Sequence, residues 1–482
     1  MIKPSIEELK KLNTGEYTVA PVSCEILSDF ITPVEALRKL KNVSTHTYML
    51  ESAEADQTWG RYTFLGFEPK MEITCINGKL KAGDITIETD RPSEYLRQIL
   101  TEYKSPRFNY LPPFTGGLVG YFSYDYIKYS EPVLRKDVQD ENDFRDVDLM
   151  LFDKVIAFDN VRQKIVLIVN IKLTDIEAEY NRATLELGKL RDLLEHGEKV
   201  KDEKGKLLGE VTPLFNKEQY KEMVEKGKKH IFEGDIFQIV LSNRLSAPFE
   251  GSLLNTYRHL RTINPSPYMF YFSGTDVEVA GASPETLVKL KDGVLHTFPL
   301  AGTRPRGKSE EEDKALEKEL LADEKELAEH NMLVDLGRND LGRVSRFGTV
   351  EVERYMDILR FSHVMHIGST VRGIIREDKD ALDAIEAVLP AGTLSGAPKI
   401  RACQLIDELE GNKRGIYGGA IGYIDFTGNM DTCIAIRLAY KKNGRVFIRS
   451  GAGIVADSVP EKEFEETMNK AGAVLNALKE AE

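Results

Sequence analysis

The stretch DKVIAFDNVRQKIVLIV (residues 153–169) decides the fold class. Two apolar runs flank a short polar segment, which is the pattern of a β-hairpin. A second hairpin is predicted by KMEITCINGKLKAGD (residues 70–84), where apolar and polar residues alternate up to a turn at Asn77 and Gly78. Strands joined by tight turns pair antiparallel, because parallel strands need a long crossover. The first part of the chain is therefore predicted to form antiparallel sheets.

A helix is predicted directly after the hairpin over residues 153–169. Thr174 and Glu177 have the spacing of a capping box, and Gly197 marks the expected end. Apolar residues recur at helical spacing on the face that we expect to be buried: Ile176, Tyr180, Ala183, Leu187, Leu190 and Leu194.

The charged stretch EKVKDEKGKLLGE (residues 198–210) contains two glycines and is predicted to be a linker or an exposed loop. We therefore divide the chain into two parts, residues 1–205 and residues 213–482. In the second part we expect a helix after Asn216, a strand over residues 235–244 and a three-strand meander over residues 417–450. Long helices are expected among these strands, over residues 309–337, 398–410 and 460–479. This order indicates an α+β fold rather than a βαβ nucleotide-binding fold.

Charge and cysteine content narrow the class of protein. The formal net charge of −13 and the pI near 5.4 argue against a nucleic-acid-binding or membrane-binding surface, although a local basic pocket remains compatible with them. The N-terminal residues MIKPSIEELKKL lack the apolar segment of a signal peptide. The four cysteines have no metal-ligand spacing and are expected to be reduced, in a cytoplasmic protein: Cys24, Cys75, Cys403 and Cys433.

Two predicted helices carry pairs of carboxylates three residues apart. In DEKELAEH (residues 323–330), Glu326 and Glu329 share the face that Ala322, Leu333 and Leu336 make otherwise apolar. In EFEETMNK, Glu463 and Glu466 flank the apolar face of the helix over residues 460–479, which we expect to begin with a Ser458 and Glu461 capping box. If the helices face each other, the four carboxylates need a divalent cation, and an all-oxygen set favours Mg²⁺. The alternative is two unrelated, solvated pairs.

Glycine-rich loops and two strand residues add candidate ligand contacts. PAGTLSGAPKIRA (residues 390–402) opens a helix, and RSGAGIV (residues 449–455) allows backbone amides to approach a ligand. Arg437 is expected to share a strand face with Cys433, Ala435 and Ala439, which leaves room for a carboxylate ligand. His366 lies on the polar side of another predicted strand and could move a proton near neutral pH. Ordinary turns, a surface arginine and a structural histidine are the alternatives.

Many motifs in one order resemble the chorismate-utilising enzymes, and most closely their anthranilate-forming members. The match covers nearly all of residues 213–482 and includes N-terminal pieces such as PPFTGGLVGYFSYD (residues 112–125). The family fold is a sandwich of antiparallel sheets with flanking helices. The motifs in the second part are GASPETLVKL, PLAGTRPRG, DEKELAEHNMLVDLGRND, RFSHVMHIGSTVRG, PAGTLSGAPKIRA, GGAIGYIDF and GAGIVADSVPEKEFEETMNKA.

The resemblance implies that chorismate and ammonia give anthranilate and pyruvate. It implies that Mg²⁺ joins the substrate to Glu326, Glu329, Glu463 and Glu466, and that Glu285 is the general acid for loss of the C4 hydroxyl. His366 matches the residue linked with the later elimination of pyruvate. Further positions match substrate-binding residues of the family: Gly302, Thr393, Tyr417, Arg437, Gly451, Gly453 and Lys470.

Two positions bear on the choice of nucleophile. The hydrolytic and isomerising relatives carry lysine where this chain has Gln238, and a neutral amide cannot activate water as a base. The aminodeoxychorismate-forming relatives carry lysine where this chain has Ala301. Ammonia is therefore the expected nucleophile, delivered by a separate glutamine amidotransferase subunit. The alternatives are an aminodeoxychorismate synthase and a non-catalytic tryptophan-binding regulatory protein.

A second site is implied by LES (residues 50–52) and NPSPYMFYF (residues 264–272), which resemble the tryptophan feedback site of the family. An aromatic-rich pocket with hydrogen-bond acceptors suits an indole amino acid. The alternative is ordinary core packing. The residues carried over are Glu51, Ser52, Pro267, Tyr268, Met269 and Phe270.

Overall fold

The computed structural model describes residues 2–12, 15–52, 60–135, 140–201, 204–360 and 364–481. None of the helices in these ranges is both long and apolar enough to cross a membrane. The α-helices are α1 Ile6–Leu12, α2 Pro33–Val43, α3 Pro92–Thr101, α4 Ile127–Ser130, α5 Ile176–His196, α6 Lys217–Phe232, α7 Leu254–Ile263, α8 Glu310–Ala322, α9 Glu324–Gly342, α10 Ala381–Val388, α11 Lys399–Glu410 and α12 Pro460–Glu480.

The strands of the first half and the start of the second are β1 Ile2–Lys3, β2 Val19–Leu27, β3 Thr47–Glu51, β4 Tyr62–Phe67, β5 Met71–Ile76, β6 Lys79–Ala82, β7 Ile85–Glu88, β8 Gly117–Phe122, β9 Val147–Phe152, β10 Lys154–Asp159, β11 Lys164–Lys172, β12 Lys206–Leu207, β13 Thr212–Pro213 and β14 Gln238–Glu250. The remaining strands are β15 Tyr268–Ser273, β16 Val277–Ser283, β17 Thr286–Lys291, β18 Val294–Thr297, β19 Leu300–Pro305, β20 Glu351–Arg360, β21 Val364–Ile374, β22 Gly396–Ala397, β23 Ala420–Asp425, β24 Met430–Ile434, β25 Leu438–Lys442 and β26 Arg445–Ile454.

These strands form two sheets in which neighbouring strands pair antiparallel. The first sheet has the order β1-β2-β11-β10-β4-β3-β15-β16-β25-β26-β14-β12, with β13 and β22 also pairing with β14. The second sheet has the order β19-β21-β18-β17-β24-β23-β8-β9-β5-β6-β7, with β20 pairing with β21. The predicted α+β fold of antiparallel sheets with flanking helices is confirmed, and so are both predicted hairpins, β5 with β6 and β10 with β11.

The sheets pack face to face, and helices cover their outer faces. In β10, Val155 and Ala157 point into the core between the sheets, whereas Ile156 and Phe158 point into the core under α2 and α5. Successive strand residues face opposite sides. A strand buried on both sides is therefore a continuous apolar run, which explains the sequence of the hairpin over residues 153–169.

The division of the chain at residues 205–213 stays a prediction, and the strand order shows how closely the two parts are joined. In the first sheet β3 pairs with β15, with Phe270 opposite Leu50. In the second sheet β8 pairs with β23, with Gly422 opposite Gly120. Each sheet therefore contains strands from both parts of the sequence.

Several predicted element boundaries are wrong. The helix expected over residues 309–337 is two helices, because Asp323 ends α8 and caps α9, accepting hydrogen bonds from the amides of Lys325 and Glu326. Ala322 therefore lies on a different helix from the acidic pair. The cap of α5 is Asp175 rather than Thr174, and Ser458 does not cap α12 but accepts from the amide of Val455.

The meander expected over residues 417–450 is also wrong. The segment DTCIAIRLAY is not one strand: β24 belongs to the second sheet and β25 belongs to the first. The chain crosses between the sheets at Arg437, whose φ of 52° is in the left-handed region. Apolar alternation gave no sign of this crossing, because the residues on both sides of it are buried.

Candidate active site

The ends of both sheets, together with α9 and α12, enclose a cavity of about 1280 Å³. All the residues that line it lie between Gln238 and Val474. The thirteen positions predicted to be catalytic, substrate-binding or metal-binding all lie in its wall: Glu285, Gly302, Glu326, Glu329, His366, Thr393, Tyr417, Arg437, Gly451, Gly453, Glu463, Glu466 and Lys470. The structure therefore brings together residues up to 185 positions apart.

Glu285 lies in the short connection between β16 and β17, at the side of the cavity. The Thr393 hydroxyl donates a hydrogen bond to Glu285 Oε1 at 3.1 Å. Burial raises the pKa of Glu285 to about 7, against the opposing effects of the Thr393 hydroxyl and the charges of Arg437 and Lys470. A carboxyl group with this pKa is partly protonated at neutral pH, so it can donate a proton.

His366 lies on β21 and its ring position is set by the bulged strand β19. Nδ1 lies 3.0 Å from the carbonyl oxygen of Gly302 and 3.1 Å from Thr303 Oγ1. Since a carbonyl oxygen only accepts, Nδ1 carries the proton, and Nε2 of the neutral ring is the basic nitrogen. Burial lowers the pKa of His366, which keeps the ring neutral. Gly302 adopts a φ of 62°, where glycine is strongly favoured.

The two acidic helices face each other across the cavity. Burial raises the pKa of Glu329 on α9, and the charges of Glu326 and Glu466 add to this effect. Burial likewise raises the pKa of Glu463 on α12, and Lys325 on α9 opposes the effect. Each helix therefore lies within electrostatic range of the other.

The four glutamates fit a hard divalent cation by the chemistry of their oxygen donors. Their mutual repulsion is only partly compensated, by Arg304 at 3.7 Å from Glu326 and by Lys470 at 2.6 Å from Glu466. They do not form a tight cluster. In the described ranges, a group of three or more acidic, histidine or cysteine ligand atoms within 4.8 Å of one another occurs at His230, Glu233 and Asp235 alone.

Arg437 extends into the cavity from the point where the chain changes sheets. Its positive φ inverts the side-chain alternation: Cys433 and Ala435 face the core between the sheets, whereas Ala439 faces the outer core. The prediction that Arg437 shares one strand face with all three is therefore wrong. Within the part of the chain that the structure describes, the guanidinium makes no hydrogen bond or ion pair. It can bind a carboxylate of a ligand.

Two glycines of β26 pack closely against neighbouring side chains. A Cβ atom on Gly451 would lie 2.8 Å from the Tyr417 hydroxyl, and one on Gly453 would lie 2.8 Å from Gln238 Nε2. Burial raises the pKa of Tyr417 to about 12, so its phenol is a hydrogen-bond donor. Lys470 donates to the carbonyl of Gly451 at 3.1 Å. This wall is polar and has room for a planar ligand.

Sequence reasoning missed Arg449, Ser450 and Lys325, which also line the cavity. Arg449 opens the loop RSGAGIV, so its proximity to the glycines was a usable signal. Lys325 carries no pattern that separates it from an ordinary helix surface lysine.

A second cavity of about 380 Å³ lies between the sheets and is lined by all six residues of the predicted inhibitor set: Glu51, Ser52, Pro267, Tyr268, Met269 and Phe270. Pro267 lines both cavities. The Tyr268 hydroxyl lies 2.9 Å from Asp431 and 2.9 Å from the Thr286 hydroxyl. Glu51 directs its carboxylate toward α7, where Arg261 and Tyr257 bind it at 2.5 Å each.

Known proteins resemble this chain over most of its length. The family model described as chorismate binding enzyme matches residues 45–476. The chain is 45% identical to anthranilate synthase component 1 of Acetivibrio thermocellus, covering 100% of this chain and 99% of the relative. It is 46% identical to anthranilate synthase component 1 of Aquifex aeolicus (strain VF5), over 99% of this chain and 98% of the relative.

A solved structure gives the same result. The crystal structure of anthranilate synthase component I from Streptococcus pneumoniae TIGR4 matches with a TM-score of 0.76 and 38% identity, and the match covers 93% of this chain and 98% of that one. The resemblance indicated by the sequence motifs is thereby confirmed. The chain belongs to the family of chorismate binding enzymes.

Proposed function

We propose that the chain is the chorismate-converting component of an anthranilate synthase. It converts chorismate and ammonia into anthranilate and pyruvate, as a carbon–oxygen lyase of tryptophan biosynthesis. The observation that carries the proposal is Glu285: a carboxyl group with a pKa of about 7 is held by Thr393 near Arg437, whose guanidinium has no partner among the described residues. The similarity to anthranilate synthase component 1 over the whole chain supports it.

Glu285 acts as the general acid of the first step. It donates its proton to the departing C4 hydroxyl of chorismate as ammonia adds at C2, so the leaving group departs as water. The Thr393 hydroxyl fixes the carboxyl group in place. Burial supplies the protonated form near neutral pH.

His366 acts in the second step, in which pyruvate is eliminated. Its neutral ring is anchored through Nδ1 by Gly302, so Nε2 can accept the proton that the ring carbon loses as the ring becomes aromatic. The lowered pKa of His366 keeps this nitrogen free of a proton before the step.

Charged groups on the cavity wall orient the substrate. Arg437, Lys470 and the hydroxyl of Tyr417 suit the two carboxylates of chorismate, and Gly451 and Gly453 lie in the same wall. Glu326, Glu329, Glu463 and Glu466 would hold Mg²⁺. When bound, Mg²⁺ would neutralise a substrate carboxylate and fix the ring.

Ammonia is the nucleophile in this proposal. Gln238 and Ala301 both line the cavity at the positions where hydrolysing, isomerising and aminodeoxychorismate-forming relatives carry lysine. Most ammonia is protonated at neutral pH, so a separate glutamine amidotransferase subunit is the proposed source. The numbered component in the relatives' name supports a multi-subunit enzyme. The four cysteines are unpaired, which suits a reducing cytoplasm.

The second cavity is proposed to bind tryptophan as a feedback inhibitor. Its walls offer the aromatic rings of Tyr268 and Phe270 to an indole, and Asp431 is the carboxylate nearest to the Tyr268 hydroxyl. Pro267 and Thr286 connect this cavity with the wall that carries Glu285.

The decisive experiment is incubation of the purified chain with chorismate, Mg²⁺ and an ammonium salt at alkaline pH. We expect anthranilate, detected by its fluorescence, and pyruvate in equal amount. A product that keeps an amino group at C4, detected by mass spectrometry, would favour aminodeoxychorismate synthase. Failure of any chorismate turnover would favour the non-catalytic regulatory protein. Hydrolysis of glutamine by this chain alone would contradict the separate amidotransferase subunit.

A further inference from the structure

Beneath the glycine-rich wall of the main cavity lies a cluster of three buried charged residues, Glu410, Arg414 and Arg449. Their exposed fractions are 4%, 3% and 6%. Both guanidinium groups bind the one carboxylate, Arg414 through Nε at 3.0 Å and Nη2 at 2.6 Å, and Arg449 through Nη2 at 2.8 Å. The amide and hydroxyl of Ser242 also donate to Glu410, at 2.7 and 3.0 Å. The carboxylate therefore accepts five hydrogen bonds.

The same guanidinium groups also hold backbone segments. Arg414 donates to the carbonyl oxygens of Leu394 at 2.6 Å and Val240 at 2.7 Å, and its guanidinium lies 4.4 Å from the centre of the Tyr124 ring. Arg449 donates to the carbonyl oxygen of Lys413 at 3.0 Å. The cluster thus fastens the turn at residues 392–394, strands β14 and β26, and the loop after α11.

Each of these segments carries a residue that faces the cavity. The turn carries Thr393, β14 begins with Gln238, the loop leads to Tyr417, and β26 continues into Gly451 and Gly453. The shortest connection runs through the turn: Arg414 binds the carbonyl of Leu394, and the preceding residue, Thr393, donates its hydroxyl to Glu285.

Stability alone does not account for such a cluster. Removing three charges from water is costly, and apolar residues of similar volume often stabilise a protein equally well or better. A guanidinium that makes four hydrogen bonds, as both do here, fixes geometry more closely than apolar packing does, because its donors are planar and directional. The cluster lies where four segments of the cavity wall meet, so the geometry that it fixes is that of the cavity.

We propose that Arg414 is a positioning residue for the general acid: by holding the Leu394 carbonyl it keeps the Thr393 hydroxyl on Glu285. The inference deepens the proposed function and rests on it. Loss of the Arg414 contact would release the turn and with it the hydrogen bond to Glu285. Arg437 and Lys470, the cationic groups that face Glu285, and His366 in the same cavity would stay in place.

The test compares Arg414→Lys, Thr393→Val and the double variant in ammonium-dependent turnover of chorismate. Lysine keeps the charge but cannot bind Glu410, Leu394 and Val240 together. The ratio of kcat/KM between variant and wild type is measured against pH, so that the titration of ammonia cancels. Because the Thr393 hydrogen bond lowers the pKa of Glu285, both single variants should move the alkaline limb upward by about half to one pH unit.

The double variant distinguishes a positioning role of Arg414, exerted through Thr393, from a purely structural role. If Arg414 acts through Thr393, the double variant shows the same shift as Thr393→Val alone. An unmoved alkaline limb in Arg414→Lys, or a shift that adds to that of Thr393→Val, would overturn the inference. A wild-type chain without chorismate turnover would instead defeat the proposed function itself.

Two further variants guard against a loss of folding. Arg145→Lys loosens a partly buried contact of the same kind, 2.6 Å from Asp148 and outside both cavities, and should lower the melting temperature without moving the pH profile. If Arg414→Lys does not fold, Glu410→Asp keeps every charge and draws Arg414 away from Leu394 by one methylene. We expect an upward shift of the same sign there, and an unchanged profile in a folded Glu410→Asp would contradict the inference.

Discussion

The two cavities of this molecule differ in origin and in the state of their charged groups. The main cavity, of about 1280 Å³, is lined only by residues between Gln238 and Val474. The second cavity, of about 380 Å³, is lined by strands of both parts of the sequence. In the main cavity the guanidinium of Arg437 has no partner among the described residues, and carboxylates repel one another. In the second cavity Asp431 is already bound by Lys289 at 3.0 Å and by Tyr268.

This difference separates two kinds of recognition. Unbalanced charge costs folding free energy, and it persists where a ligand or a metal ion supplies the missing partner. Paired charge around aromatic rings leaves shape and apolar contact to select the ligand. The main cavity therefore suits a small dianion and a cation, and the second suits a flat, largely apolar amino acid. The following changes break or sharpen this contrast.

The largest effect is expected from the acidic helices. Glu329→Ala and Glu466→Ala should each abolish turnover and weaken Mg²⁺ binding in calorimetry, while circular dichroism stays unchanged. Glu461→Ala is the matched control, because Glu461 lies on the same helix but pairs with Lys217 outside the cavity. Wild-type rates in either cavity variant would show that these glutamates do not hold a required metal ion.

Removing the general acid should have the next largest effect. Glu285→Gln keeps the shape and the hydrogen bond to Thr393 but cannot donate the proton, so kcat should fall by about 10²–10⁴-fold. Chorismate binding, measured by calorimetry, should change little. A variant that keeps most of the wild-type kcat would exclude Glu285 as the proton donor.

The pH dependence of kcat/KM in the wild-type protein should show the titration of Glu285. Glu285 must be protonated, and its raised pKa of about 7 means that kcat/KM falls as the pH rises through this value. His366 must be neutral, and its lowered pKa keeps it so down to more acidic pH than for an ordinary histidine. At constant free ammonia we expect a bell-shaped profile between these two pKa values. A rate still rising well above pH 7 would contradict the assignment of Glu285.

A smaller effect is expected at the carboxylate contact. Arg437→Lys keeps the charge but cannot form bidentate hydrogen bonds with a carboxylate. KM for chorismate should therefore rise roughly tenfold, with less change in kcat. Arg445→Lys, on the neighbouring strand and outside both cavities, serves as the control. Equal KM values for the two variants would remove Arg437 from the substrate contacts.

The smallest effect on turnover is expected in the second cavity. Tyr268→Phe removes the hydroxyl that joins Thr286 and Asp431, so this wall of the cavity is less firmly held, and tryptophan binding should weaken severalfold. Calorimetry gives the affinity, and inhibition curves give its effect on turnover. Wild-type protein that binds no tryptophan would refute the feedback proposal.

Sequence patterns predicted the helices and strands better than they predicted the boundaries and crossings between them. The spacing of Glu326 and Glu329 survives in α9 because helical periodicity is local. The break at Asp323 was missed because an aspartate within an acidic run looks like surface charge, and only its hydrogen bonds identify it as a cap. The crossing at Arg437 was missed because a positive φ at a non-glycine residue leaves no mark on hydrophobic alternation.

The candidate site shows the same limit. Motif resemblance supplied thirteen of the residues that line the main cavity, but not the direction of individual side chains. Glu51 was carried over as an inhibitor contact, yet its carboxylate binds Arg261 on the opposite side of β3. That direction depends on the register of β3 with β15, a pairing between residues more than 200 positions apart. The pKa of Glu285 likewise depends on neighbours that only the folded chain brings together.

Both sheets contain strands from both parts of the sequence, which has a consequence for truncation of the chain. Because β3 lies beside β15 and β8 beside β23, cutting away the first 205 residues would expose long strand edges and open both sheets. If the second cavity binds tryptophan as proposed, removal of these residues would therefore not give a stable enzyme free of feedback. On that proposal, single substitutions in the smaller cavity are the changes expected to relieve feedback.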